Sequence, residues 1–211
     1  MLALSKTVIN YEAVFILILT SFFLVTILKA YYWKYSKLLF KGVIAQRYAN
    51  QFLREDNALT ERVDFITYSV MIINFSLIIN FLGDKIDFGI FGLLLLVFLF
   101  YLLKMILFKC LSSVFMIKTL GKLAVFFSFL FDRVLAIIIF PIVVLLYFFS
   151  FDIGKELIFF VFLLCGLIFI IKIYWLWKIS TKSFGLPYFY IFLYLCTLEI
   201  FPILLVFEEL Y

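Results

Sequence analysis

Apolar runs long enough to cross a bilayer follow one another along this chain, with polar breaks between them. A helix needs about 20 apolar residues to span the hydrocarbon core. The pattern predicts six spans, at residues 13–30, 65–82, 88–107, 134–151, 157–176 and 188–207. We therefore expect an all-α membrane protein that forms one polytopic domain over residues 1–211.

The composition supports lipid as the solvent. Hydrophobic residues make up 68% of the chain, and 31 of its 211 residues are Phe. The mean hydropathy is +1.25. A soluble domain of this size leaves much of its chain facing water and could not bury so much apolar surface.

The basic residues predict the orientation of the spans. All of the 18 Lys and Arg residues except Lys6, Lys85 and Lys155 lie in the first, third and fifth connections or in the span ends beside them. The positive-inside rule makes this side cytoplasmic and puts both termini outside. The net charge of +5 then reflects topology, and no aromatic motif for nucleic-acid binding accompanies it.

Two connections are predicted to have structure at the cytoplasmic interface. Residues 34–62 mix apolar side chains with charges, which predicts a largely helical, surface-lying segment. Its Lys34, Lys37 and Lys41 are expected to contact anionic lipids. Residues 111–131 are amphipathic in their first half, so we expect them to lie along the interface, with the apolar second half dipping toward the core.

Asp132 and Arg133 allow two interpretations. If they open span four, they are interfacial charges, because Asp offsets the helix dipole and Arg can reach the lipid phosphates. If the span begins near Leu123 instead, both charges are buried within it and require partners.

Glu199 is the candidate for intramembrane chemistry. It lies eight residues before the predicted outer end of span six, about 12 Å at helical rise. Ionisable residues at such depth are functional hypotheses by default. We expect a neutral side chain at pH 7, with Cys196 one turn away on the same face and Ser76 or Asn80 as its partner. Both a structural hydrogen bond and proton transfer are open roles.

Span two carries Ser69, Ser76 and Asn80 at helical spacing. Such residues typically form hydrogen bonds between membrane helices, each worth about 1 kcal/mol or less. The alternative is that they form half of a polar pathway facing Glu199.

Motifs for enzymatic chemistry are missing from the sequence. It has no histidine, Walker loop, Gly-x-Ser-x-Gly or His-Glu-x-x-His segment, so no cofactor or metal is expected. Its three cysteines all lie in apolar runs, and their odd number argues against a disulfide framework.

Two stretches resemble an uncharacterised family of Bacteroidota inner-membrane proteins, known as a domain of unknown function. One is Asp132-Arg133-Val134-Leu135 followed by Pro141, and the other is residues 189–202, FYIFLYLCTLEIFP. Members typically end in Leu-Tyr-x-Cys-x-Leu-Glu-x-x-Pro, and they often have Asn where this chain has Asp132. The resemblance covers about the last four spans. It implies a bacterial inner-membrane location and no activity.

These observations lead to a functional hypothesis. The chain is expected to be a non-enzymatic integral subunit of an envelope complex for secretion, insertion or assembly, with other membrane proteins as partners. The alternatives are a small proton-linked transporter that uses Glu199 and the polar residues of span two, and a lipid-handling membrane enzyme.

Overall fold

The computed structural model describes residues 2–55, 57–82, 89–114, 118–148 and 151–183. These ranges contain seven helices: α1 (Leu2–Tyr31), α2 (Trp33–Ile44), α3 (Gln46–Arg54), α4 (Ala58–Leu82), α5 (Ile90–Val114), α6 (Lys118–Phe148) and α7 (Phe151–Ser183). The fold is all-helical over this part of the chain. Helices suit these apolar runs because each satisfies its backbone hydrogen bonds internally, as lipid requires.

Five of the helices are long and apolar enough to cross a membrane. Their candidate spans are Glu12–Tyr31, Ala58–Leu82, Ile90–Leu107, Val125–Phe148 and Phe159–Lys178. The protein is therefore a multi-pass membrane protein, and these spans correspond to the first five predicted from the sequence. The sixth predicted span, residues 188–207, lies outside the described residues.

Helix α6 is the centre of the bundle. Within its span 67% of residues are buried against protein, compared with 39% for α4, 22% for α1 and α5, and 17% for α7. Phe side chains such as Phe127, Phe129 and Phe131 are almost fully buried along it. The peripheral helices expose large apolar side chains instead, which suits contact with lipid.

The first connection is helical, as predicted, and α2 and α3 cover one end of the bundle. Leu39 of α2 and Phe52 of α3 are buried in one apolar cluster with Phe126 of α6. Gly42 allows the close approach, because a Cβ added there would lie 3.3 Å from the Cβ of Ala49 and 3.4 Å from a methyl group of Leu130. We call this the α2–α3 end. It contains the C-terminal parts of α1 and α7 and the N-terminal parts of α4 and α6. Met105 of α5 packs next to it, against Phe129 of α6.

In the segment 111–131, the second half enters a candidate span from Val125 onward, and the interfacial position of the first half stays a prediction. Helix α5 continues to Val114, and α6 begins at Lys118 and runs unbroken into the span. The apolar part of α6 begins at Val125, well before the predicted start of span four at Val134. The span can begin before Asp132 and Arg133 because both charges have partners inside the bundle. Paired charges can be buried in a membrane helix, whereas unpaired ones are too costly.

Candidate functional site: a buried charge cluster

Five charged side chains from four helices form two ion-paired groups on adjacent residues of α6, near the α2–α3 end of the bundle. We call them the charge cluster: Asp64 of α4, Lys104 of α5, Asp132 and Arg133 of α6, and Lys172 of α7. Lys104, Arg133 and Lys172 are buried. All five lie within candidate membrane spans.

Asp132 binds two lysines from different helices. Its Oδ1 lies 2.8 Å from Lys172 Nζ, and its Oδ2 lies 3.5 Å from Lys104 Nζ. Lys104 Nζ also lies over the ring of Phe129, 5.6 Å from its centroid. One carboxylate therefore joins α5 and α7 to the central helix.

Arg133 points to the other side of α6. Its Nη1 pairs with Asp64 Oδ1 of α4. The guanidinium carbon lies 4.8 Å from the ring centroid of Tyr68 and 5.3 Å from that of Phe126, so two aromatic faces enclose the cation. Arg133 Nε and Nη2 are buried and have no hydrogen-bond partner among the residues that the structure describes.

The cluster forms because its members lie at similar depth. Asp132 is seven residues after Val125, about 10 Å along the helix, and Lys172 is six residues before Lys178, about 9 Å. Asp64 is six residues after Ala58. Because successive spans run in opposite directions, positions near the starts of α4 and α6 meet positions near the ends of α5 and α7.

A second set of polar contacts lies deeper in the bundle. Ser21 Oγ donates to Asn74 Oδ1 at 2.9 Å, and Asn74 Nδ2 donates to the carbonyl of Ala136 at 2.9 Å. Asn80 Nδ2 donates to Tyr147 Oη at 3.1 Å, and that hydroxyl donates to the carbonyl of Leu77 at 2.8 Å. These bonds join α4 to α1 and α6.

The polar residues predicted on span two have unequal roles. Asn80 makes a contact between helices, whereas Ser69 and Ser76 donate to carbonyls of their own helix, those of Phe65 and Ile72. Asn74, which lies off the predicted line, joins three helices. Glu199 and Cys196 lie outside the described residues, so the pairing predicted for Glu199 stays a prediction.

Three members of the charge cluster were not among the site residues predicted from the sequence. Asp64 immediately precedes the predicted span two, and Lys104 and Lys172 were counted among the basic residues at span ends. The signal that could have found them is depth, since all three lie near span ends on the side that carries Asp132 and Arg133.

The lysines predicted to contact lipid lie on α2. Lys34 and Lys37 are exposed, and Lys34 Nζ lies 3.9 Å from Glu55 Oε2. Lys41 is half-buried and lies over the ring of Tyr48. Trp33 and Ile44 are also exposed on this helix.

The acids and thiols in the described ranges nowhere gather as a group of three or more that could hold a metal ion. Cys110 and Cys165 are free thiols. The charge cluster itself consists of carboxylate, ammonium and guanidinium groups held in ion pairs.

A family model described as a domain of unknown function, DUF4271, matches residues 14–210. The chain belongs to the DUF4271 family. This agrees with the resemblance to a family of unknown function. The DUF4271 match covers all five members of the charge cluster and both predicted positions Cys196 and Glu199. Comparison with curated proteins and with solved structures finds no match.

Proposed function

We propose that this protein is a small, non-enzymatic, proton-linked membrane transporter in which the ion-paired group of Asp132, Lys104 and Lys172 exchanges the proton. The observation that carries the proposal is the carboxylate of Asp132 held between Lys104 of α5 and Lys172 of α7, inside the candidate spans. Ionisable groups within membrane spans are rare, occur on ion pathways and proton relays, and are functional-site hypotheses by default.

The arrangement gives a proton a mechanical effect. Protonation of Asp132 removes the negative charge that attracts both ammonium groups, so a single proton weakens the ties of two helices at once. Helices α5 and α7 have only 22% and 17% of their spans buried, so apolar packing holds them less than it holds α6. Proton binding can therefore shift the bundle between two packings.

The charge cluster also contains acids of the kind that a proton relay needs in addition to Glu199. Proton relays in membranes usually run through several acids. Asp132 of α6 and Asp64 of α4 are two acids within the candidate spans.

We place the protein in the bacterial inner membrane with its α2–α3 end in the cytoplasm. The distribution of Lys and Arg supports this orientation. The resemblance to a family of Bacteroidota inner-membrane proteins supports the choice of the inner membrane. Lys34 and Lys37, exposed beside Trp33 and Ile44, are suited to contact anionic lipid headgroups.

A second candidate is an integral subunit of an envelope complex in which the cluster only holds helices together. The pairing of Arg133 with Asp64 favours it, because aromatic rings enclose the cation and the pair joins the two helices with the most buried spans. Purification in mild detergent distinguishes the candidates, since a stoichiometric partner supports the complex and a lone protein supports the transporter.

Proteoliposomes that contain an internal pH indicator test proton linkage directly. Under an imposed pH gradient, we expect proton entry to exceed that into protein-free vesicles and to fall to their rate in Asp132→Asn. Glu61→Gln is the matched control, because Glu61 is an exposed acid on α4 outside the cluster. Equal rates for wild type and Asp132→Asn, with both proteins folded, would contradict the proposal.

A further inference from the structure

Arg133 uses only one of its three side-chain nitrogens in the contacts that the described residues supply. The residue is 1% exposed, and its Nη1 pairs with Asp64. Its Nε and Nη2 are buried and have no hydrogen-bond partner within the described ranges. Leaving buried donors of a cation unpaired is costly, so these two groups require an explanation such as a bound ion.

The two unpaired nitrogens point in the same direction. Nε and Nη2 form one edge of the planar guanidinium, and this edge can donate two parallel hydrogen bonds. Its spacing matches two oxygens of a carboxylate or a phosphate, which arginine binds in this bidentate way. The rings of Tyr68 and Phe126 lie 4.8 and 5.3 Å from the guanidinium carbon. Such apolar surroundings strengthen the attraction between the cation and an anion.

The α2–α3 end offers a route to this edge. The side chain of Asp64 is 36% exposed, so the ion pair borders on the surface of the protein. On the other side of the cation, Phe126 stacks on Phe52 of α3, with ring centroids 5.6 Å apart. Helix α3 has nine residues and is bounded at each end by a non-helical residue. Residues at the ends of elements are where hinged segments move, and a movement of α3 would uncover Phe126 and the cation behind it.

We propose that the Nε–Nη2 edge of Arg133 binds a small oxyanion, either a carboxylate or a phosphate, which enters from the α2–α3 end. The site is distinct from the group of Asp132, Lys104 and Lys172 to which proton exchange is assigned above. In the proposed transporter this oxyanion is the substrate that moves with the proton. The binding itself does not rest on that function.

Thermal unfolding of the full-length protein in a maltoside detergent, which carries no phosphate, tests the proposal. Sodium acetate and sodium phosphate are compared with sodium chloride at equal pH and ionic strength, so that the screening of charges is the same. A ligand that binds only the folded protein raises its Tm. We expect acetate or phosphate to raise the Tm of the wild type by a few degrees above its value in chloride.

A further arm adds phosphatidylglycerol to the micelles in chloride and so distinguishes the sources of the oxyanion. A rise in Tm with acetate or phosphate indicates a soluble ligand. A rise with phosphatidylglycerol alone indicates the phosphate of a lipid headgroup. Both results support the proposal if they depend on Arg133.

Arg133→Lys is the matched variant, because lysine keeps the positive charge beside Asp64 and lacks the bidentate edge. We expect it to lose the rise in Tm. If it does not accumulate, Asp64→Asn/Arg133→Met takes its place, because it removes both charges of the pair. Lys34→Gln/Lys37→Gln is the control for binding at the surface, since both lysines are exposed on α2. This control should keep the rise.

Three results would overturn the proposal. The first is a wild type whose Tm rises in none of the arms. The second is an equal rise in wild type and in the Arg133 variant, as expected from the general stabilising effect of such salts. The third is loss of the rise in Lys34→Gln/Lys37→Gln, which would place the oxyanion on the surface of α2. All of these measurements read binding, so failure of the proton-flux assay leaves the inference intact, and the reverse also holds.

Discussion

Asp132 and Arg133 are neighbours in sequence, yet they join the central helix to different partners by different means. Arg133 pairs with Asp64 of α4 and is itself 1% exposed and enclosed by aromatic rings, whereas the side chain of Asp64 is 36% exposed. Asp132 shares its charge between Lys104 of α5 and Lys172 of α7. We call the Arg133–Asp64 side of α6 the permanent side, and the side of Asp132 with its two titratable lysines the exchangeable side.

The difference follows from the chemistry of the cations. Arginine keeps its proton at any accessible pH, whereas a lysine that loses its counter-ion can also lose its proton. The packing agrees with this division. Helices α4 and α6 have the most buried spans, and α5 and α7 are among the least buried.

The largest predicted effect is on the permanent side. Asp64→Asn leaves the buried Arg133 without a carboxylate, and we expect the free energy of unfolding to fall by about 3 kcal/mol, since unpaired buried charges cost 3–5 kcal/mol. Denaturation in mixed detergent micelles measures it.

The control for this prediction is the double variant Asp64→Asn/Arg133→Met, which removes the charge as well as its partner. We expect it to be more stable than Asp64→Asn alone, because apolar replacement of a buried ion pair is often neutral. If the two changes are simply additive, the pair has no special energetic role.

The next largest effect is on the exchangeable side. We expect Asp132→Asn to lower stability by about 2 kcal/mol, less than Asp64→Asn, because its lysines can give up protons while Arg133 cannot. Amide hydrogen exchange should increase in α5 and α7 and stay unchanged in α4. Faster exchange confined to α4 would reverse the comparison.

Some elements of the fold can be predicted from the sequence and others cannot. The first five spans follow from continuous apolar runs, and the helical first connection follows from its mixed pattern. The start of span four does not, because Asp132 and Arg133 interrupt the hydropathy, and their burial depends on partners far away in the chain. A hydropathy profile does not distinguish a charge at the membrane interface from a charge that is paired inside a bundle.

The lysines show why the candidate site is hard to find from sequence. A Lys near a span end can reach the headgroups with its long side chain. From the sequence, this is the expected role of Lys104 and Lys172. Their actual neighbours depend on how the helices pack. The periodicity of a single sequence does not contain this information. Glu199, the residue that hydropathy alone singles out, lies outside the described residues.

The two lysines of Asp132 should differ from each other. Lys172 Nζ lies 2.8 Å from the carboxylate and Lys104 Nζ lies 3.5 Å away. We expect Lys172→Met to cost about 1.5 kcal/mol, as for a hydrogen bond to a charged group, and Lys104→Met to cost less. Unfolding of both variants in the same micelles checks this order, and a greater loss for Lys104→Met would mean that distance does not set the strength of these ties.

The smallest predicted effect separates charged from neutral polar contacts. Asn74→Leu removes the bonds to Ser21 Oγ and to the Ala136 carbonyl, and we expect a loss of about 1 kcal/mol, since neutral hydrogen bonds between membrane helices are weak. Ser69→Ala is the control and should change little, because its hydroxyl bonds only the Phe65 carbonyl of its own helix in the described structure. If Asn74→Leu were as damaging as Asp64→Asn, the stability of the bundle would depend on its neutral polar centre, and the contrast between the two sides of α6 would lose its energetic basis.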